Sequence, residues 1–326
     1  MAVYTEVSDV ELEAFLADYG LGRLLSYKGI AEGVENSNFL LHVEAGLFIL
    51  TLYEKRVAAS DLPFFLTLME HLAARGLPCP QPVKTQNGVT LGKLAGRPAA
   101  IVTFLEGVSS RRPSPPQCAA LGLALGQLHR AGADFDLVRP NALSLESWPS
   151  LFGTAKERAR EVQAGLASFI ADELAFLAIA WPRDLPRGTI HADLFPDNVL
   201  FLGDEVSGLI DFYFACTDFL AYDLAVCLNS WCFEPDLSFN VTKGMALIDS
   251  YQRMRKLTKA EIEALPVLAR GSALRFALTR LVDWLNVPPG ALVKPKDPLD
   301  YIKRLRFHQR CKSARDLGLR DPGREL

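Results

Sequence analysis

Positive charge is not in excess in this sequence: 35 Lys and Arg stand against 38 Asp and Glu, a formal charge of −3 over 326 residues with histidine neutral. Affinity for phosphate backbones and acidic membranes grows from clustered Lys and Arg, so the composition leaves no electrostatic footprint for either partner. Cysteine is sparse and unpatterned. Cys79, Cys118, Cys216, Cys227, Cys232 and Cys311 contain no CxxC pair, which speaks against a zinc ribbon or a disulfide scaffold and for reduced, mostly buried thiols. Apolar runs are short; stretches such as 174–181 fall far below the roughly 18–20 residues that cross a bilayer. The opening segment carries Glu6, Asp9, Glu11, Glu13 and Asp18 and lacks the basic start of a signal peptide. The expectation is a soluble, cytoplasmic protein with no nucleic acid, no membrane and no obligate protein partner. Several familiar signatures are missing too. There is no Walker A run and no HExxH; Gly20-Leu21-Gly22 lacks the third glycine of a dinucleotide fingerprint and reads as a helix C-cap. His42, His71, His129 and His308 are scattered without ligand spacing, so surface or satisfied core positions are expected for them.

What is present is a hydrophobic share of 49% and, at roughly 150 residues per domain, length for about two lobes. Ser8 followed by Glu11 reads as a capping box opening a helix. A strand over 24–28 and a hairpin over 38–44 and 47–53, turned at Ala45-Gly46, come next. A helix over 62–75 ends at Gly76 and Pro78, and a buried strand covers 99–105. Residues 106–116 change texture to Gly, Ser, Arg and Pro and suit a linker. Helical patterns then dominate, over 117–131, 154–180, 218–231, 243–254 and 259–284. The segment 303–326, with eight Lys or Arg against three acids, reads as a solvated helix and tail. The expected architecture is α+β, with a lobe at 1–105, a hinge at 106–116 and a larger, mostly helical lobe at 117–326.

One island of strand, 199–202 and 206–210 around Gly203-Asp204-Glu205, interrupts the helices and collects the chemistry. Antiparallel pairing brings Asn198, at the start of the first strand, and Asp211, at the end of the second, to one end of the ladder. His191-Ala192-Asp193 delivers another carboxylate there. Phosphoryl transfer from ATP needs Mg²⁺ held by hard oxygen ligands and a carboxylate that positions the attacking hydroxyl. Asn198 and Asp211 suit the metal and Asp193 suits the hydroxyl; His191 suits orientation of the loop.

The run His191-Ala192-Asp193-Leu194-Phe195-Pro196-Asp197-Asn198, followed by Ile210-Asp211-Phe212, matches the HxDxxxxN loop and metal-binding Asp-Phe of kinases. It resembles the aminoglycoside/choline phosphotransferase group in particular, whose usual opening is His-Gly-Asp, so Ala192 is a departure. The resemblance implies a bilobal, protein-kinase-like fold with a small antiparallel-sheet lobe that binds nucleotide, with ATP and Mg²⁺ as cofactors. It places a phosphate-covering loop at 29–38, with Gly33, Ser37 and Asn38 toward the nucleotide, and an adenine-binding hinge at 103–105, with main-chain contacts from Thr103 and Leu105. The main departure lies in the strand 48–53. Thr51 stands where the group usually carries a phosphate-contacting Lys; Lys55 lies beyond the strand, and Glu70 comes late in the following helix for the usual partner Glu.

Over the whole chain, including 32–38, 48–56 and 68–73, the sequence resembles the bacterial homoserine kinase subfamily of this fold, which shares the Thr51 strand. That implies ATP-dependent phosphorylation of the L-homoserine hydroxyl to O-phospho-L-homoserine, a step of threonine biosynthesis. A zwitterionic substrate needs partners near Asp193. Arg275 and Arg280 suit its carboxylate through the bidentate guanidinium fork, Asp223 suits the ammonium group, and Tyr213 and Trp231 lie close in sequence. Other expectations stay open: a kinase of this fold acting on choline, methylthioribose or an aminoglycoside, or a nucleotide-binding pseudokinase.

Overall fold

A computed structural model describes residues 5–30, 36–54, 58–287 and 295–320. The chain divides into two compact units, Met1–Gly107 with Ser207–Tyr213, and Val108–Val206 with Phe214–Leu326.

The first unit is built on a five-stranded sheet. Helix α1 (Asp9–Leu16) opens at Ser8, whose side chain accepts from Glu11 N while Glu11 returns the bond, the reciprocal cap expected from the sequence. Strands β1 (Leu24–Gly29), β2 (Ser37–Val43) and β3 (Gly46–Leu52) follow, then α2 (Leu62–Ala74), β4 (Gly92–Leu94) and β5 (Arg97–Thr103). The sheet order is β1-β2-β3-β5-β4, antiparallel throughout. Gly46 takes φ +124 in the β2–β3 turn, a conformation that glycine reaches without a Cβ clash. Alternation on β2 puts Phe39, Leu41 and Val43 into a core with Leu12, Leu16, Leu50 and Ile101. The short strand β4 carries no alternation signal in sequence; it exists because it pairs with Arg97–Ala99 of β5.

The second unit is mostly helical. Its elements are β6 (Val108–Ser109), α3 (Pro115–Ala131), α4 (Trp148–Gly153), α5 (Leu166–Ala180), β7 (Arg187–Ile190), β8 (Val199–Leu202), β9 (Glu205–Leu209), β10 (Cys216–Phe219), α6 (Leu220–Trp231), α7 (Val241–Met254), α8 (Lys259–Leu285) and α9 (Pro298–His308). The strands β6-β8-β9 form one small sheet and β10-β7 another; the unit division falls inside β9, after Val206. Much of the stretch expected to be linker is structured, since Val108–Ser109 pairs with β8 and Ser114 caps α3 with Gln117.

Three expectations change here. The helix expected over 154–180 is broken into a 3-10 turn at Lys156–Glu161 and α5, with Gly165 between them at φ +77. The helix expected from 218 starts at Leu220, because Cys216–Phe219 pairs with β7 instead. The segment from 303 is not a solvated helix: α9 buries Tyr301, Ile302, Leu305 and His308.

Buried polar groups tie the helices of this unit together. Glu173 on α5, 2% exposed, accepts a bidentate pair from Arg270 on α8 at 2.8 and 2.7 Å, and Gln309 donates to it at 2.7 Å. Asn229 on α6 donates through Nδ2 to Ala225 O and Ala269 O, which leaves its Oδ1 to accept from His308 Nε2 at 2.9 Å. The imidazole is thereby held in its Nε2–H form, fully buried among Phe233, Phe239 and Phe307. Burial, with the charges of Arg304 and Arg270, pushes it down to about 3 from an ordinary 6.5.

A group depressed on folding stabilises the fold fully above its unfolded value and loses that contribution as pH falls toward the folded value. Between pH 6.5 and 3 the unfolded chain binds a proton at His308 that the folded chain refuses. The expected contribution lost at pH 5 is about 2 kcal/mol. Urea unfolding at pH 7.5 and 5 checks this: His308→Gln, whose amide N–H can still reach Asn229, should lose about that much less stability than wild type over the interval. Equal losses in the two proteins would refute the assignment.

Candidate active site

The catalytic-loop candidates lie between β7 and β8 of the second unit. The loop leaves β7 through His191 and Ala192, and Ala192 has φ +62. That left-handed conformation costs an L-residue about 1–2 kcal/mol and explains why glycine is the usual occupant in the group the sequence resembles.

Asp223 on α6 holds the turn. Its Oδ2 accepts from His191 N at 2.7 Å and its Oδ1 from Ala192 N at 2.9 Å. His129 on α3 donates from Nε2 to the same carboxylate at 3.2 Å, and its Nδ1 accepts from the Tyr251 hydroxyl at 2.8 Å. Burial pushes the Asp223 carboxyl up, but the His129 hydrogen bond and the neighbouring imidazoles and N–H groups outweigh it and hold the group below its ordinary range. The expected ammonium partner is thus put to another use: Asp223 is wholly enclosed, with both oxygens committed to the loop backbone and His129. Trp231 is likewise enclosed and donates from Nε1 to Leu194 O at 2.8 Å, bracing the loop from the far end of α6. His129, expected as an ordinary core or surface histidine, is a core histidine with both ring nitrogens engaged.

Past Ala192 the loop presents Asp193, whose side chain is 20% exposed. Asn198 donates from Nδ2 to Asp193 O at 2.8 Å and reaches Asp193 Oδ2 at 3.4 Å, so its Oδ1 is the atom left for a cation. Arg275 on α8 sends Nη1 to within 3.4 Å of Asp193 Oδ1. Its guanidinium lies over Phe276 at 3.9 Å and faces Phe214 at 5.3 Å. Arg280, by contrast, donates to Asp297 O at 3.3 Å, lies 3.8 Å from Asp300 and stacks on Tyr301 at 4.4 Å. Asp197 is exposed and pairs with Lys296.

In the first unit, Asp211 is exposed and adopts φ +65, and Phe212 after it is buried. Tyr213 packs edge-on against Tyr53 and Phe65, with its hydroxyl 3.4 Å from that of Tyr53. Burial pushes the Tyr213 hydroxyl up to about 12. Asn38 faces Thr51 across β2 and β3 and accepts from its hydroxyl at 2.8 Å; the place of the usual Lys is taken by a neutral cross-strand pair, Thr51 buried and Asn38 half-buried. Ser37 is buried and donates to Glu54 at 2.8 Å. Glu54 also accepts from Thr5 and pairs with Arg97 at 3.1 Å, a cluster that no sequence signal marked. Glu70 pairs with Lys84 at the surface. Thr103 closes β5 opposite Phe48; its main-chain N–H donates to Gln81 O at 2.9 Å and its side-chain hydroxyl accepts from Gln81 N at 2.9 Å, and Leu105 lies beyond the ladder. Gly33 and Lys55 lie outside the described residues.

Magnesium takes oxygen ligands, retains water and is commonly held by one or two protein groups together with substrate phosphates. The Asn198 Oδ1 in the second unit is an oxygen of that kind, and so is the exposed Asp211 carboxylate in the first. Among the described residues no cluster of three His, Cys, Asp or Glu could hold a metal unaided. No described helix is long and apolar enough to cross a membrane.

Comparison with known proteins gives the family and the fold. The model of the phosphotransferase enzyme family matches residues 26–257. A homoserine kinase of Methylobacterium nodulans is 67% identical over 318 residues, covering 98% of this chain and 99% of that protein. One of Afipia carboxidovorans is 66% identical over 319 residues, with 98% of each covered. Among solved structures, a microcompartment-associated aminopropanol kinase superposes with a TM-score of 0.69 at 17% identity, over 96% of this chain and 99% of that one. The amicoumacin kinase hAmiN, in complex with AMP-PNP, Ca²⁺ and Ami, gives 0.66 at 14% identity, over 93% and 92%. These likenesses make the fold protein-kinase-like and bilobal, α+β, and with the family model matching well over half of its length the chain belongs to the phosphotransferase enzyme family.

Proposed function

We propose that the protein transfers the γ-phosphoryl group of ATP to the hydroxyl of L-homoserine. The observation that carries this is identity of 63–67% over nearly the whole chain with homoserine kinases, supported by a loop that presents the Asp193 carboxylate on a braced turn. In the transfer the homoserine hydroxyl oxygen forms a bond to the γ-phosphorus as the bond from that phosphorus to the β,γ-bridging oxygen breaks. ADP leaves, and Asp193 accepts the hydroxyl proton.

Asp193 orients the hydroxyl, and Asn198, anchored by its own hydrogen bonds to Asp193, stays fixed beside it. Asn198 and Asp211 would hold Mg²⁺, which when bound neutralises charge on the β- and γ-phosphates. Nucleotide contacts are assigned to the 29–38 segment, with Gly33 and Asn38, and to the main chain at Thr103 and Leu105; Ser37, expected there too, is wholly buried with its hydroxyl on Glu54 and Thr5 N instead. On this reading 1–105 is the nucleotide-binding lobe and 117–326 the catalytic and substrate-binding lobe. With Thr51 neutral, backbone donors and the metal carry the phosphate charge.

The test is ADP release with Mg²⁺-ATP across L-homoserine, L-serine, L-threonine, choline, methylthioribose and an aminoglycoside, with mass spectrometry of the product. Selective turnover of L-homoserine to a monophosphate is expected. Preference for another alcohol would overturn the substrate, and nucleotide binding without turnover of any of them would overturn the activity.

A further inference from the structure

Arg275 is an unusual cation. The residue is 4% exposed, clamped between two phenylalanine rings, yet among the described residues its one hydrogen-bond acceptor is Asp193, at a long 3.4 Å. A guanidinium carries five N–H donors in a planar fork, and a buried charge is ordinarily paired and hydrogen-bonded in full, because unmet donors keep their desolvation cost. Among the described residues its Nε and Nη2 meet no acceptor. The other arginines of α8 are more fully engaged: Arg270 is bidentate on Glu173, and Arg280 has Asp297, Asp300 and the Tyr301 ring.

We propose that the unused donors of Arg275 bind the carboxylate of the substrate, and that this residue thereby selects hydroxy acids over uncharged or cationic alcohols. The inference rests on the homoserine reading and names the residue responsible for it. In homoserine the hydroxyl oxygen and the carboxylate carbon are separated by three carbons, roughly 5 Å in extended form. An arginine that touches Asp193 with one nitrogen can therefore meet the carboxylate with the others while Asp193 meets the hydroxyl. A carboxylate also competes with Asp193 for the guanidinium, so its arrival loosens the 3.4 Å contact and frees Asp193 Oδ1 to accept the hydroxyl. Choline, lacking the carboxylate, would leave that contact in place, and serine, one carbon shorter, would bring its hydroxyl short of Asp193.

The experiment compares kcat/KM for L-homoserine and for its neutral carboxamide in wild type, Arg275→Gln and Arg275→Lys. Wild type should prefer the acid strongly. Arg275→Gln should lose about a hundredfold or more on the acid and much less on the amide, so that the two substrates come within a few-fold of each other. Arg275→Lys keeps the charge opposite Asp193 without the fork and should fall between; if the glutamine variant does not fold, the lysine variant reads the same ratio. Equal losses on acid and amide, with the wild-type preference intact, would overturn the inference and leave Arg275 serving Asp193 alone. Failure of wild type to phosphorylate L-homoserine at all would overturn the proposed activity instead.

Discussion

Asp193→Asn is expected to lower kcat by about 10²- to 10⁴-fold while nucleotide affinity stays within a few-fold of wild type. The amide keeps the shape of the carboxylate and can still accept a hydrogen bond, but it cannot take up the proton released as the hydroxyl attacks. Its nucleotide contacts are unaffected, because the groups assigned to phosphate and base lie elsewhere, at 29–38, 103–105, Asn198 and Asp211. Asp211→Ala should behave in the opposite way, weakening nucleotide binding in the presence of Mg²⁺ and changing it little in the absence of the metal. Steady-state ADP release together with equilibrium titration of a nucleotide analogue separates the two effects. Full turnover in the Asp193 variant would remove that residue from the mechanism.

Asp223→Ala should cost about 3–5 kcal/mol of stability in the second unit and most of the activity. The substitution leaves the N–H groups of His191 and Ala192 and the Nε2–H of His129 without an acceptor in a site closed to water, and each stranded donor costs about 1–3 kcal/mol. It also removes what offsets the left-handed conformation of Ala192, one residue before Asp193. Asp223→Asn tests the same point more gently: one oxygen remains as an acceptor, so the protein should fold, with kcat reduced and KM for ATP little changed. Chemical denaturation and kinetics on both variants check this. An alanine variant as stable and active as wild type would show that the loop holds its shape unaided.

Much of the candidate site was legible because its chemistry is local. Asp193 and Asn198 fall within one short loop, and Asp211 follows a hairpin announced by two apolar runs around Gly203-Asp204-Glu205, so spacing alone brings the residue types into view. The cap at Ser8 is equally local, requiring a hydroxyl and a partner three residues on. The broken helix over 154–180 was misread for the complementary reason. Its composition favours helix on both sides of Gly165, and only the observed φ of +77 shows the chain turning there. Asp218 and Phe219 looked helical because the preference of Cys216–Phe219 for β7 is a long-range pairing that period and propensity do not report.

The sequence by itself determined the family, the α+β class, the longer helices and hairpins and the residue types able to carry phosphoryl transfer, since these depend on residue type, period and short-range spacing. Tertiary structure alone decided the use of each group beyond that loop. Asp223, a plausible ammonium partner from its distance in sequence, became the brace of the loop because α6 points it at two backbone N–H groups and His129. Arg275 and Arg280 were indistinguishable as arginines on one helix; packing set the first against Asp193 with donors to spare and the second against Asp297 and Tyr301. His308 became a buried neutral imidazole because α9 closes over α8 rather than running into solvent. The physical reason is the same in each case: a charged or polar side chain takes its role from its burial and its partners, and both are supplied by residues distant in the chain.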